Sequence, residues 1–149
     1  MALALVGCDN GSSGSPISGT WIQDDNPTWQ TTYRNGRYEA SFNGVPVTRG
    51  TYRTSGNELR STWTHVSGYF MPQLNLGPGW HTTAQYFSAV ETWYREMGWS
   101  EELIATAMEG MRNPPPSRTT FSISGSTLTL TTVNLQSGQV TITQTFTRR

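Results

Sequence analysis

Lysine is missing altogether. All ten basic residues of the 149-residue chain are arginine, and ten acidic residues balance them to a formal net charge of zero. A neutral chain lacks the electrostatic footprint of a nucleic-acid binder, so no nucleic-acid partner is expected. Histidine occurs twice, at His65 and His81 in separate segments, too few for a metal centre of ordinary ligand number. Cysteine occurs once, at Cys8, which excludes a structural disulfide and, among polar neighbours, a thiolate metal site. No nucleophile, base and orienting group can be assembled, and no glycine-rich loop opens a helix to cradle a phosphate. Neither an enzyme nor a cofactor is therefore expected. No apolar run downstream of the first residues is long enough to span a bilayer as a helix. A chain of this length still suffices for one domain with a modest core.

The lone thiol sits in ALVGCDNGSSGSPISGTW, residues 4–21, after a short apolar run and before a Gly/Ser tract too polar to bury it. Leu5-Val6-Gly7-Cys8 resembles the lipobox of bacterial lipoproteins, in which the cysteine becomes the lipidated first residue of the mature chain. The resemblance implies lipidation at Cys8, with residues 1–7 as the remnant of a longer signal and residues 8–16 as a flexible Gly/Ser linker. It implies a membrane lipid as partner and a place in the envelope of a bacterium, periplasmic or surface-exposed.

Short hairpins dominate the remainder of the chain. In TWQTTYRNGRYEASF, Asn35-Gly36 reads as a two-residue type I′ turn. Pairing outward sets Tyr33 opposite Tyr38, Thr31 opposite Ala40 and Trp29 opposite Phe42 on one face, with Arg34, Arg37, Glu39 and Ser41 on the other. A turn at Gly56-Asn57 likewise opposes Thr54 to Leu59, Tyr52 to Ser61 and Gly50 to Trp63, small against large. A third turn, Gly125-Ser126, opposes Ile123 to Leu128 and Phe121 to Leu130. The last run, residues 140–148, alternates Val140, Ile142, Gln144 and Phe146 with threonines, and stays in step with Leu130 only through a bulge near Thr132 to Asn134. Residues 43–47, with Pro46, read as a loop. With SGTWIQ in front, this predicts eight strands at about 18–23, 28–34, 37–43, 48–54, 58–66, 118–124, 127–133 and 140–148. Eight meandering strands with one apolar face close into an up-and-down barrel, which removes both edges; an open two-sheet sandwich is the competing arrangement.

Gly19-Thr20-Trp21 is similar to the G-x-W that opens the first lipocalin strand, and Phe146-Thr147-Arg148-Arg149 to the segment whose arginine stacks over that tryptophan. Gly44, Val47, Gly50, Tyr52 and Gly56-Asn57 resemble the pattern of small bacterial lipocalin-like lipoproteins. The resemblance covers residues 17–66 and 118–149. It implies a barrel from residue 17 to residue 149, closed by Trp21 and Arg148, that binds a small apolar molecule; some related barrels instead inhibit enzymes.

Residues 67–117 interrupt that pattern between the fifth and sixth strands. Tyr86, Val90, Trp93, Tyr94 and Met97 share one helical face, and Gly98 ends that helix. Ser100 then reads as an N-cap, Glu101 and Glu102 sit on the positive helix end, and Trp99 staples onto Ile104. Leu103, Ile104, Ala107, Met108 and Met111 form the second apolar face, up to Asn113-Pro114. A helical hairpin is predicted, preceded by an apolar loop, SGYFMPQLNLGPGW.

Trp29, Phe42, Trp63, His65, Tyr86 and Trp93 are the candidate ligand residues, at a barrel mouth beneath the helices; His65 is expected on the inner face. The same aromatics equally suit a plain core. Two functions are compatible with this pattern: a lipid-anchored module for a small apolar ligand, or a protein-interaction barrel with a filled core, a periplasmic inhibitor or surface adhesin. The strand directions put three hairpin turns at one end with Arg34, Arg37, Arg53 and Arg60, where they face the membrane, or simply scatter in solvent. The acids gather at the other end, with the insertion.

Overall fold

The hairpin turns set the architecture. Asn35 and Gly36 both take positive φ, 52° and 70°, as a type I′ turn requires, while Gly56 and Gly125 supply the positive φ at the first position of the other two. The computed structural model describes residues 14–149. In it the chain runs through β1 (Gly19–Gln23), β2 (Trp29–Arg34), β3 (Arg37–Phe42), β4 (Val45–Ser55) and β5 (Glu58–Ser67). A 3-10 turn (Pro72–Leu74), a short β6 (Trp80–Thr82) and helices α1 (Thr83–Glu96) and α2 (Glu101–Arg112) come next. The chain ends in β7 (Ser117–Ser124), β8 (Thr127–Asn134) and β9 (Val140–Arg148).

Each strand pairs antiparallel with its neighbour, β1 pairs with β9 and β5 with β7, so eight strands close into an up-and-down barrel. The expected pairs all form: Tyr33 with Tyr38, Trp29 with Phe42, Tyr52 with Ser61, Gly50 with Trp63 and Phe121 with Leu130. A bulge follows Thr132, which keeps Leu130 opposite Gln144 and Leu128 opposite Phe146. At Gly50 the fit against β5 is so close that a Cβ would overlap the Thr62 carbonyl.

Three local departures have physical causes. The loop expected at residues 43–47 is mostly strand: Asn43 and Gly44 make another positive-φ turn, and β4 starts at Val45. A bulge opposite Ala40 and Ser41 leaves Val47 as the extra residue, next to Pro46, which has no amide proton to donate. Trp80, expected at the end of the irregular loop, instead opens β6 with His81 and Thr82, which pairs with the far end of β5. On the helices, Met97 and Leu103, expected in the apolar faces, lie exposed, while Ile104 and Met108 of α2 are deeply buried. Trp99, expected to staple onto Ile104, stacks on Tyr94 with ring centroids 4.3 Å apart.

Two separate cores result. The barrel core joins Ile17, Trp21, Tyr33, Tyr52, Leu59, Phe121, Leu128 and Phe146. The second joins Tyr86 and Val90 of α1 and Ile104 and Met108 of α2 to Val66 of β5 and Leu74. The helical hairpin thus packs on the end of β5 as a unit of its own: the Ser100 hydroxyl accepts from Leu103 N as expected, and Thr82 and Gln85 add a reciprocal capping box.

Candidate functional site

The barrel's turn end is closed. Ile17 and Trp21 have no exposed surface, and the indole Nε1 donates to the Ile17 carbonyl at 2.8 Å. Arg148, opposite Trp21 in the β1–β9 ladder, holds its guanidinium 4.5 Å from the indole centroid and donates to the Pro16 carbonyl at 3.4 Å. The Ser15 hydroxyl lies 3.4 Å from that of Thr54, and the Ser18 hydroxyl 3.5 Å from that of Tyr52. The chain before β1 therefore crosses this end like a plug, reaching back to Ser15.

Above the plug the barrel is hollow. A cavity of about 430 Å³ is walled by Trp29, Tyr33, Tyr38, Leu130 and Phe146, with Thr31, Thr48, Ser61, Gln23 and Gln144 interleaved. Among the described residues no acidic or basic side chain lines it. Burial, then the neighbouring Tyr38 and Tyr52 hydroxyls, push Tyr33 up to about 12. Burial pushes Tyr38 up to about 12 as well, although a hydrogen bond with Thr48 works against the rise. Both phenols therefore stay protonated at neutral pH and serve as donors. The site offers flat aromatic surface and uncharged hydrogen-bonding groups.

The six candidate ligand residues do not converge. Trp29 lines the cavity, and with Phe42 and Phe70 it forms a three-ring cluster with centroids 6.2–6.5 Å apart at the end away from the plug. Trp63 instead turns toward the helices, 5.6 Å from both Tyr86 and Phe87. Trp93 packs against the helical core beside Tyr94. His65 is outside the barrel, contrary to the inner-face expectation. Gly50 pairs with Trp63 and Arg49 with His65, so Thr64 is an extra residue that flips every later side chain of β5 to the other face. Its Nδ1 lies 2.9 Å from the Thr64 hydroxyl, and it borders an outer groove of about 510 Å³ with Arg34, Arg37 and Arg49. His81 lands in the next β5–β6 rung, opposite Val66, and so on the other face of the sheet from His65. Among the described residues no three metal-ligating side chains gather. Cys8 lies outside the described residues.

Sequence reasoning passed over Gln23, Thr48, Ser61 and Gln144, the polar part of the wall. The parity of their positions in the ladders was the available signal, and it put Ser61 and Gln144 inside from the start. Fold and site together define an eight-stranded up-and-down barrel with a plugged end and an uncharged interior cavity. A comparison with protein-family models, with curated proteins and with solved structures finds no match for this chain.

Proposed function

We propose that the protein is a lipid-anchored binding module of a bacterial envelope, carrying a small, largely apolar ligand in its barrel. The cavity of about 430 Å³ carries this reading: its volume lies in the range of small-molecule sites, and its wall combines aromatic rings with uncharged polar groups. The lipocalin-like G-x-W and closing arginine favour it, as does the lipobox at Cys8 for the anchor. Titration with the neutral fluorophore N-phenyl-1-naphthylamine should saturate at one probe per chain and weaken in Trp29→Ala; no saturable binding overturns the ligand reading. Precursor made with a complete signal should label with palmitate, and Cys8→Ser should abolish labelling and membrane retention together. Retention undiminished in the Cys8→Ser chain overturns the anchor.

A second reading, a protein-interaction barrel such as an inhibitor or adhesin, draws on the helical hairpin. Met97, Trp99 and Leu103 are 61%, 42% and 58% exposed near the α1–α2 turn, an apolar group of the kind that partners cover.

A further inference from the structure

Closing a barrel removes sheet edges, yet here one seam stays largely open. β5 and β7 share only two residue pairs, Glu58 with Thr120 and Leu59 with Thr119. The same edge of β5 is next paired at His65, by β6. Among the described residues no strand lies beside residues 60–64 on that edge. The gap holds a recess of about 670 Å³ bordered by Leu59, Arg60, Ser61, Ser117, Arg118 and Leu135.

Ser61 connects the recess to the interior. It lies opposite the buried Tyr52 and so faces inward, and it lines the cavity as well as the recess. Despite facing inward it is solvent-exposed. Ile17 and Trp21 plug one end, and the partly buried Trp29–Phe42–Phe70 rings cluster at the other. The helical hairpin packs on the far part of β5 and leaves residues 60–62 uncovered.

We propose that the gap between β5 and β7 is a side entrance to the cavity, admitting uncharged ligands with an apolar face and a hydrogen-bonding edge. The proposal rests on the cavity being a ligand site. Selection against charge follows from the wall: an ionised ligand would lose its water without meeting an opposite charge. Tyr, Thr, Ser and Gln side chains instead offer donors and acceptors that suit hydroxyl, carbonyl or amide groups.

The test uses the full chain with Cys8→Ser, so that Thr31→Cys supplies one thiol on the cavity wall. Methyl methanethiosulfonate is compared with its cationic trimethylammonium-ethyl and anionic sulfonatoethyl relatives, each rate normalised to the denatured chain. The charged reagents should react about a hundredfold more slowly than the neutral one. Adding Ser61→Trp should slow the neutral reagent by about tenfold or more, while Phe70→Ala leaves its rate unchanged. Ser117→Trp, on the facing edge, should reproduce the slowing, with near-ultraviolet circular dichroism reporting that each variant is folded. Unchanged rates in both blocked variants, or acceleration by Phe70→Ala, would overturn the entrance. Equal rates for charged and neutral reagents would overturn the selection. Should N-phenyl-1-naphthylamine fail to bind while the thiol rates behave as expected, the ligand reading falls and the entrance stands.

Discussion

Tyr33 shows how one residue ties the interior to pH. Its ring lies 5.0 Å from that of Tyr52 and 6.1 Å from that of Tyr38, and burial holds its hydroxyl neutral up to about 12. In the unfolded chain a tyrosine gives up its proton near 10. Between those values the unfolded state binds fewer protons than the folded one, so stability falls as pH rises. The contribution is whole below about pH 10 and is lost through about pH 12, amounting to roughly 3 kcal/mol for Tyr33. Tyr38, also raised to about 12, contributes in the same direction. Urea midpoints measured from pH 8 to pH 11 should fall, and Tyr33→Phe should flatten the fall; parallel curves for the two proteins would contradict the assignment. Trp21 tests closure in the same way. Filling the plugged end with no exposed surface, it should cost about 3 kcal/mol or more as Trp21→Ala. Arg148→Ala removes a stacked cation at the surface and should cost roughly 0.5–2 kcal/mol. Equal melting of Trp21→Ala and the parent would show that β1 does not close the barrel.

Elements were legible where turn chemistry and side-chain period agree. Asn35-Gly36 fixed the register of β2 and β3, and once fixed, a period of two assigns every face. Register arguments fail where the backbone adds a residue. The bulge after Thr132 was detectable because Leu130 and Gln144 would otherwise disagree, but Thr64 sits between no such markers, and so His65 was placed on the wrong face. Helix periodicity found the stripe of α2 without its width: a single partner surface covers Ile104 and Met108 and leaves Leu103 in water. The cavity itself was out of reach, since which aromatics fill a barrel and which line it depends on strand stagger, a property of no single strand. The separate core of the helical hairpin makes a prediction at this scale. Ile104→Ala should cost about 2–5 kcal/mol locally. Hydrogen exchange should then lose protection in α1 and α2 while β1 to β3 and β7 to β9 keep theirs. Uniform loss across all strands would mean that hairpin and barrel unfold as one unit.

The whole molecule is neutral and polarised. The turn contacts Tyr52 N to Gly36 O, Phe121 N to Asn57 O and Arg148 N to Ser126 O put the three turns at the plugged end, together with Arg34, Arg37, Arg53 and Arg60. Arg34 faces Arg37 across its hairpin and Arg53 faces Arg60, like charges that repel when directly opposite. Of the four only Arg60 has an ion pair among the described residues, with Glu58 at 2.7 Å. At the insertion Arg95 pairs with Glu101 and Arg112 with Glu91, so basic charge is offset there. Ser15 is bound at the plugged end, beside Thr54. Six residues separate it from Cys8, and a Gly/Ser-rich segment of that length spans about 13–16 Å, roughly two Debye lengths at physiological salt. An acyl chain on Cys8 would hold that end within range of lipid headgroups, where each arginine adds up to about 1 kcal/mol beside an anionic surface. One chain alone binds marginally, and a basic patch makes it firm. The barrel should therefore rest its arginine end on the membrane and point the helical hairpin away, leaving the β5–β7 gap in the side wall. Flotation of the unlipidated Cys8→Ser protein with anionic vesicles should show binding at low salt that high salt removes. Replacing Arg34, Arg37, Arg53 and Arg60 by glutamine should abolish it, whereas replacing Arg95 and Arg112 should not. Binding that survives the first set, or is absent at low salt, would leave the anchor without a preferred orientation.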